Sequence, residues 1–286
     1  MRRSERAELA RETVAIVEAG SYRSARGRTV DIAEAVRACL EATRYYPPEI
    51  LQRIRSKIPA PLGEGLVTEI EVVNETTLAG IARLLDAEGG PVAALNFASA
   101  KNPGGGFLGG SQAQEESLAR SSALYASQRR TWEFYERHRA SSSPLYSDAI
   151  ILSPECPIFR DDAGSLLEEP HAVAFLTCAA PNAGAAGKIR PSELDSLPEV
   201  FRRRAEGILA VAASRGYSRL VLGAWGCGVF RNSPALVAGT FAGLLRGAWL
   251  GRFERVAFSV LDDSPAQETF QAFRAAFDAT GPGDEG

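Results

Sequence analysis

Residues 91–116 read PVAALNFASAKNPGGGFLGGSQAQEE. The first seven form an almost wholly apolar run of strand length, and Gln114 opens a helical stretch that reaches Arg139. Between them, five glycines fall from Gly104 to Gly110. Glycine supplies turns closed to other residues and lets backbone N–H groups face an anion with no Cβ in the way. A buried strand, a glycine turn and a helix, in that order, are the unit of a sheet layered with helices. Such sheets hold ligands outside the carboxyl ends of their strands. The stretch is not a dinucleotide fingerprint, because no acidic residue fits about twenty positions beyond a GxGxxG. It is not a P-loop either, because no Gly-Lys-Ser/Thr follows.

The same alternation runs outward. Residues 66–73, 149–152, 173–180, 220–224 and 256–261 read as strands, and 75–85, 192–214, 233–250 and 265–277 as helices. Short apolar strands between long helices predict an α/β chain whose central sheet is mainly parallel and covered on both faces. Upstream, 3–18 is an amphipathic helix stopped by Gly20, 21–30 a hairpin turning at Arg26-Gly27, and Asp31 the cap of a helix to Thr43. Tyr46-Pro47-Pro48 opens a new segment, and 59–65 is rich in turn residues. Residues 1–65 thus read as an accessory helical extension packed on a domain spanning 66–280, with a frayed tail at 281–286.

The chain has 286 residues, 45% hydrophobic and 23% charged, with 32 basic against 35 acidic side chains, a net charge of −3. That mix builds a folded core, and it argues against a nucleic-acid wrap held by phosphate contacts, so no direct DNA binding is expected. No apolar run is long enough to predict a membrane span. Behind Met1-Arg2-Arg3 there is no apolar stretch, so no secretory signal is expected. The four cysteines, Cys39, Cys156, Cys178 and Cys227, form no CxxC pair, and the only histidines are His138 and His171. No metal motif is expected from them, and the setting reads as reducing and cytoplasmic. Cys178 and Cys227 read as small buried thiols, and Cys156, before a proline, as a loop residue open to solvent.

Glu115 and Glu116 occupy the first turn of the helix that leaves the glycine loop. Both suit that position, where the helix dipole and free N–H groups favour carboxylates. Adjacent positions point in different directions, so the pair can also divide labour. One carboxyl would orient a sugar hydroxyl while the other carries a proton to a glycosidic oxygen and from water.

A second glycine loop follows the strand at 220–224: Gly223-Ala224-Trp225-Gly226-Cys227-Gly228-Val229-Phe230-Arg231-Asn232. Gly226, Cys227, Gly228 and Val229 can present N–H groups to a phosphate, forming a second jaw opposite Gly104 to Gly106. Phe230 suits either core packing or stacking on a base. Trp225 reads as core, 181–184 as a turn or a rim of the pocket, and Arg202-Arg203-Arg204 as a solvated helix face.

The spacing of the first loop resembles the signature of the poly(ADP-ribose) glycohydrolases: three glycines, a spacer of about six to eight residues, then Gln-Glu-Glu. Here these are Gly104-Gly105-Gly106 and Gln114-Glu115-Glu116, seven residues apart. The flanking 95–103 is similar to the compact bacterial form, which also carries an N-terminal helical extension. The resemblance implies a macrodomain-like three-layer α/β/α sandwich with a mixed central sheet. It implies Glu116 as the catalytic acid and Glu115 as the partner that holds the ribose hydroxyls. Gly104, Gly105, Gly106 and Phe107 would lie beneath the diphosphate and terminal ribose, Gln114 beside the ligand, and Phe230 against adenine. One position departs: many macrodomains place an asparagine five residues before the first glycine, where this chain has Ser99. Asn102 is expected to supply that amide.

The implied reaction is hydrolysis of ribose–ribose O-glycosidic bonds from chain ends, releasing ADP-ribose with no cofactor and no metal. The implied partners are poly(ADP-ribose), ADP-ribose and poly(ADP-ribosyl)ated proteins, met by a monomer. Two other readings share the cradle: a hydrolase of single ADP-ribose units, and a non-enzymatic ADP-ribose-binding module. Paired carboxylates beside an anionic ligand speak against the latter, and an NAD-dependent oxidoreductase lacks its fingerprint.

Overall fold

Val92, Ala93, Ala94 and Leu95 are all buried, and they form the middle of β5 (Val92–Phe97). This strand lies at the centre of a seven-stranded sheet in a computed structural model that describes residues 1–57, 60–63 and 65–278. On one side of β5 run β8 (Arg219–Leu222), β9 (Arg255–Ser259) and β4 (Glu69–Val73), all parallel to it. On the other side β7 (Leu166–Cys178) is also parallel, while β6 (Ile150–Arg160) pairs antiparallel with β7, and β3 (Arg44–Tyr46) antiparallel with β6. The sheet is therefore mixed. A separate hairpin joins β1 (Ser21–Arg23) to β2 (Thr29–Asp31).

Alternate strand residues feed two cores, as the pleat requires. Ala93, Leu95, Leu220 and Phe258 face α3 (Pro48–Arg55), α9 (Leu197–Ser214), α10 (Pro234–Arg246) and α11 (Glu268–Asp278). Val92, Ala94, Val221 and Ala257 face α1 (Arg3–Ala19), α2 (Ala33–Ala42), α4 (Thr77–Asp86), α5 (Gln114–Ser121) and α6 (Leu124–Arg129). The result is a three-layer α/β/α sandwich.

Several local expectations change. The single helix expected over 114–139 is three: α5, α6 and α7 (Trp132–Ala140). Ser122 is extended; its hydroxyl donates to the Leu118 carbonyl and accepts the Leu124 N–H, while the Thr131 hydroxyl donates to the Gln128 carbonyl. Side chains of this kind compete with helix continuation. β6 and β7 extend well past the apolar runs read as strands: Pro154 falls at a register shift between Ser153 and Cys156, Pro170 lies opposite a second shift between Ile158 and Arg160, and Pro157 pairs with Ala172. That pairing buries Cys156, which is no open loop residue. Asn182 caps a short helix, α8 (Ala183–Ile189), where a turn was expected. Residues 44–46, read as part of the helical extension, form the edge strand β3. Arg204 is buried and not on a solvated face: it pairs with Asp148 at 3.0 Å and donates to the carbonyls of Ala179 and Leu145. The tail expected to fray at 281–286 lies outside the described residues.

Candidate active site

β5 and β7 set the floor of the site. Their parallel register places Asn96 beside Thr177, and the Asn96 amide donates to the Thr177 hydroxyl at 3.1 Å. Its other contact is Glu115 Oε1, also at 3.1 Å. The chain then leaves β5, turns through the glycines and re-enters α5. Gln114 pins that junction: Phe97 N–H donates to its Oε1 at 2.9 Å, and its Nε2 donates to the Leu95 carbonyl at 2.7 Å and the Thr77 hydroxyl at 3.1 Å.

Glu115 is 3% exposed. Three N–H groups reach its carboxyl: Asn96 Nδ2 and Gln128 Nε2 on Oε1, the latter at 2.8 Å, and Ser99 N on Oε2 at 2.6 Å. Burial pushes its pKa up to about 8, against the pull of those donors. A carboxylate offers about four acceptor sites, and three are filled, so one remains on Oε2. Glu116 differs. Gly106 N–H donates to its Oε1 at 2.9 Å, and its Oε2 has no protein partner among the described residues.

The glycines are needed at these places. Gly105 sits at φ 58°, and an added Cβ would overlap Glu116 Oε1. Gly104 N–H donates to Gln128 Oε1 at 2.7 Å. The far end of the loop is gripped by α1, where Arg3 and Arg6 donate to the carbonyls of Gly109 and Gly110 at 2.9 and 2.8 Å. Phe107 is buried under the loop, its ring 4.7 Å from Tyr125 and packed with Ala10 and Ala119. Asn102 is exposed, and its Oδ1 accepts from Arg139 at 3.2 Å.

The second loop leaves β8 with Trp225 buried as expected, its indole N–H donating to the Cys178 carbonyl at 3.0 Å. Gly226, at φ 76°, lies against Ala180 and Asn232, and the Asn232 amide ties the Gly226 and Pro181 carbonyls at 2.9 and 2.8 Å. Cys227 is half-buried, and burial pushes its thiol up to about 12, which keeps it neutral. Val229 is exposed at the tip, and the Phe230 ring rests 6.0 Å from Tyr146.

A cavity of about 800 Å³ opens at the carboxyl ends of β5, β8 and β9, between the second loop and the segment that enters α5, with Arg6 and Leu9 of α1 at its edge. Phe97 and Ala98, Gln114 and Ser117, the run Gly226 to Phe230, and Ser259 to Asp262 line it. Its size suits a ligand of dinucleotide dimensions. Of the residues expected around the ligand, Gln114, Gly226, Cys227, Gly228, Val229 and Phe230 reach this wall. Asn102, Gly104, Gly105, Gly106 and Phe107 do not line it; they build the loop that carries the two glutamates. Glu115 and Glu116 belong to the helical turn whose Gln114 and Ser117 do. Asn96, Gln128 and Thr177 hold Glu115, and sequence reading assigned none of them a role. For Gln128 the signal was its place four residues after Leu124 on the buried stripe of α6. Among the described residues no three His, Cys, Asp or Glu side chains converge to hold a metal ion.

The catalytic-domain model of microbial-type PARG matches residues 10–161. Poly(ADP-ribose) glycohydrolase from Thermomonospora curvata is 51% identical and superposes with a TM-score of 0.92 over 96% of this chain and 100% of its own. The same enzyme bound to the inhibitor ADP-HPD gives 51% and 0.88, over 95% and 99%. Poly(ADP-ribose) glycohydrolase from Deinococcus radiodurans in complex with ADP-ribose is 48% identical, with a TM-score of 0.81 over 85% of this chain and 97% of its own. No curated protein sequence matches.

Proposed function

The chain belongs to the microbial-type poly(ADP-ribose) glycohydrolases and hydrolyses poly(ADP-ribose) to release ADP-ribose, and we propose that it works from chain ends with Glu116 carrying the proton. Its fold is the macrodomain-like sandwich of that family. The observation that carries the proposal is the asymmetry of the glutamate pair. Glu115 is buried among three donors, while Glu116 is fixed through one oxygen by Gly106 and keeps the other free.

The terminal ADP-ribose unit fills the cavity, with its diphosphate between the glycine loops and its adenine on Phe230. Its ribose hydroxyl pairs with the remaining position on Glu115 Oε2, accepting the carboxyl proton while Glu115 is neutral. Glu116, protonated on Oε2, gives that proton to the departing ribose oxygen as the C1–O bond breaks and positive charge grows on the ribose. Water then attacks C1 and gives up a proton to Glu116 Oε2, which restores the acid. The loop holds these groups in place before the bond breaks, so little ordering is left for the reaction step. We extend the same reading to poly(ADP-ribosyl)ated proteins as carriers of the polymer, and to a monomer in a cytoplasmic compartment where its four cysteines stay free.

Chromatography of the products from purified poly(ADP-ribose) tests this. Wild type should yield ADP-ribose from the outset, with chains shortening one unit at a time and no early short oligomers, and Glu116→Gln should lose about 10²–10⁴-fold in rate while still binding ADP-ribose. Early oligomer products would overturn cleavage from ends, and an active Glu116→Gln would remove Glu116 from its role.

A further inference from the structure

We propose that the outer flank of the first glycine loop, centred on Trp132 and Arg139, binds the leaving part of the polymer, namely the adenosine diphosphate whose ribose oxygen departs at Glu116. The proposal rests on the glycohydrolase reading above.

A continuous path joins this flank to the glutamate. Trp132 opens α7 and is 42% exposed, and no other phenylalanine, tyrosine or tryptophan among the described residues falls in the exposed class. The Arg139 guanidinium lies 4.6 Å from its ring centroid and donates to Asn102 Oδ1 at 3.2 Å. The Asn102 carbonyl accepts the Gly105 N–H at 3.0 Å, closing a tight turn, and Gly105 abuts Glu116. A second branch leaves Gly104: Tyr125 packs against it, and Arg129 lies 5.7 Å over the Tyr125 ring.

The flank also carries charge of the right sign. Lys101, Arg129, Arg130 and Arg139 are exposed, and none makes an ion pair among the described residues, although the chain as a whole is net negative. The exposed acids of α7 are Glu133 and Glu136. None of these residues lines the cavity that takes the terminal unit. The bond to be broken lies at Glu116, so the leaving unit needs a surface beyond the loop. An aromatic ring for its adenine and unpaired cations for its diphosphate are the groups that recognise such a unit.

The test compares wild type, Trp132→Ala and Trp132→Phe as full chains. KM and kcat for ADP-ribose release from poly(ADP-ribose) are measured, alongside calorimetric binding of free ADP-ribose, which occupies the cavity alone. Loss of one stacked base should raise the polymer KM about tenfold in Trp132→Ala. Trp132→Phe should restore most of it, and ADP-ribose affinity should match wild type in both. An unchanged polymer KM in Trp132→Ala overturns the subsite and leaves the hydrolase reading standing. Lost ADP-ribose binding in that variant also overturns it, by assigning Trp132 to the fold. If wild type itself released no ADP-ribose, the hydrolase reading would fail first.

Discussion

Gln128 holds both the loop and the glutamate: its Nε2 donates to Glu115 Oε1 at 2.8 Å, and its Oε1 accepts the Gly104 N–H at 2.7 Å. One buried amide therefore fixes the loop proposed to hold the diphosphate against the carboxyl proposed to hold the ribose. Each end of the amide has a single use, and no water-exposed alternative replaces it, since Gln128 is fully buried.

Gln128→Ala should accordingly act twice. Leaving the Gly104 N–H and one Glu115 oxygen short of a partner costs about 1–3 kcal/mol of stability by denaturant unfolding. The freed loop should also lower kcat more than it raises KM, because positioning at the bond suffers more than binding of the adenosine end. A variant that loses stability but keeps wild-type kcat would make Gln128 a structural residue only.

Gly105→Ala should separate activity from folding in the opposite way. The backbone at φ 58° costs an alanine about 1–2 kcal/mol, a loss the domain can absorb. The new methyl, however, meets Glu116 Oε1 and must displace it. Misplacement of a reacting group on the scale of an ångström costs roughly 10²-fold in rate. The expected result is a folded protein with a small drop in melting temperature and a collapse of turnover.

How far the sequence leads can be judged from these same residues. The strand–glycine–helix order of 91–116 is visible because glycine, glutamine and paired glutamates leave local signatures. The second loop is visible for the same reason. Gln128 is not, because glutamine on a helix ordinarily faces water, and only the folding of α6 against α5 and β6 brings it to Glu115. Asn96 is quoted in the run but gains its role only through the β5–β7 register. The three-residue β3 is too short and too polar to announce itself, and β6 and β7 hide behind prolines that a shifted pairing tolerates. Arg204 sits in a run of three arginines that looks solvated, and only the turn of α9 puts it inside while Arg202 stays out, paired with Glu199 and Glu206. Phe107 follows the glycines in sequence, yet its ring goes down against α1 because the loop turns over it.

Glu115 should leave a signature in stability against pH. Its carboxyl is raised from an ordinary value of 4.5 to about 8 by burial, so between those values the folded chain binds more protons than the unfolded one. The contribution is then complete below about 4.5, declines as pH rises, and is gone above about 8. Melting temperatures of wild type should fall across that window more steeply than those of Glu115→Gln, whatever the absolute stability of the variant. Parallel curves throughout the window would mean that Glu115 is ionised in the fold as it is in the unfolded chain.

Asp148 supports the site from behind. It faces Arg203 and the buried Arg204, and Arg204 also donates to the Ala179 carbonyl at 2.9 Å. The next residues, Ala180 and Pro181, are those on which Gly226 and Asn232 seat the second loop. Asp148→Ala strands a buried guanidinium, at a cost of about 3–5 kcal/mol. Because the disturbed carbonyl adjoins the second loop, ADP-ribose affinity should fall along with stability, whereas the Glu116 side of the site is untouched. Calorimetric titration of ADP-ribose well below the melting temperature distinguishes the two effects. A destabilised Asp148→Ala that binds ADP-ribose as wild type does would show that the second loop is seated without help from Arg204.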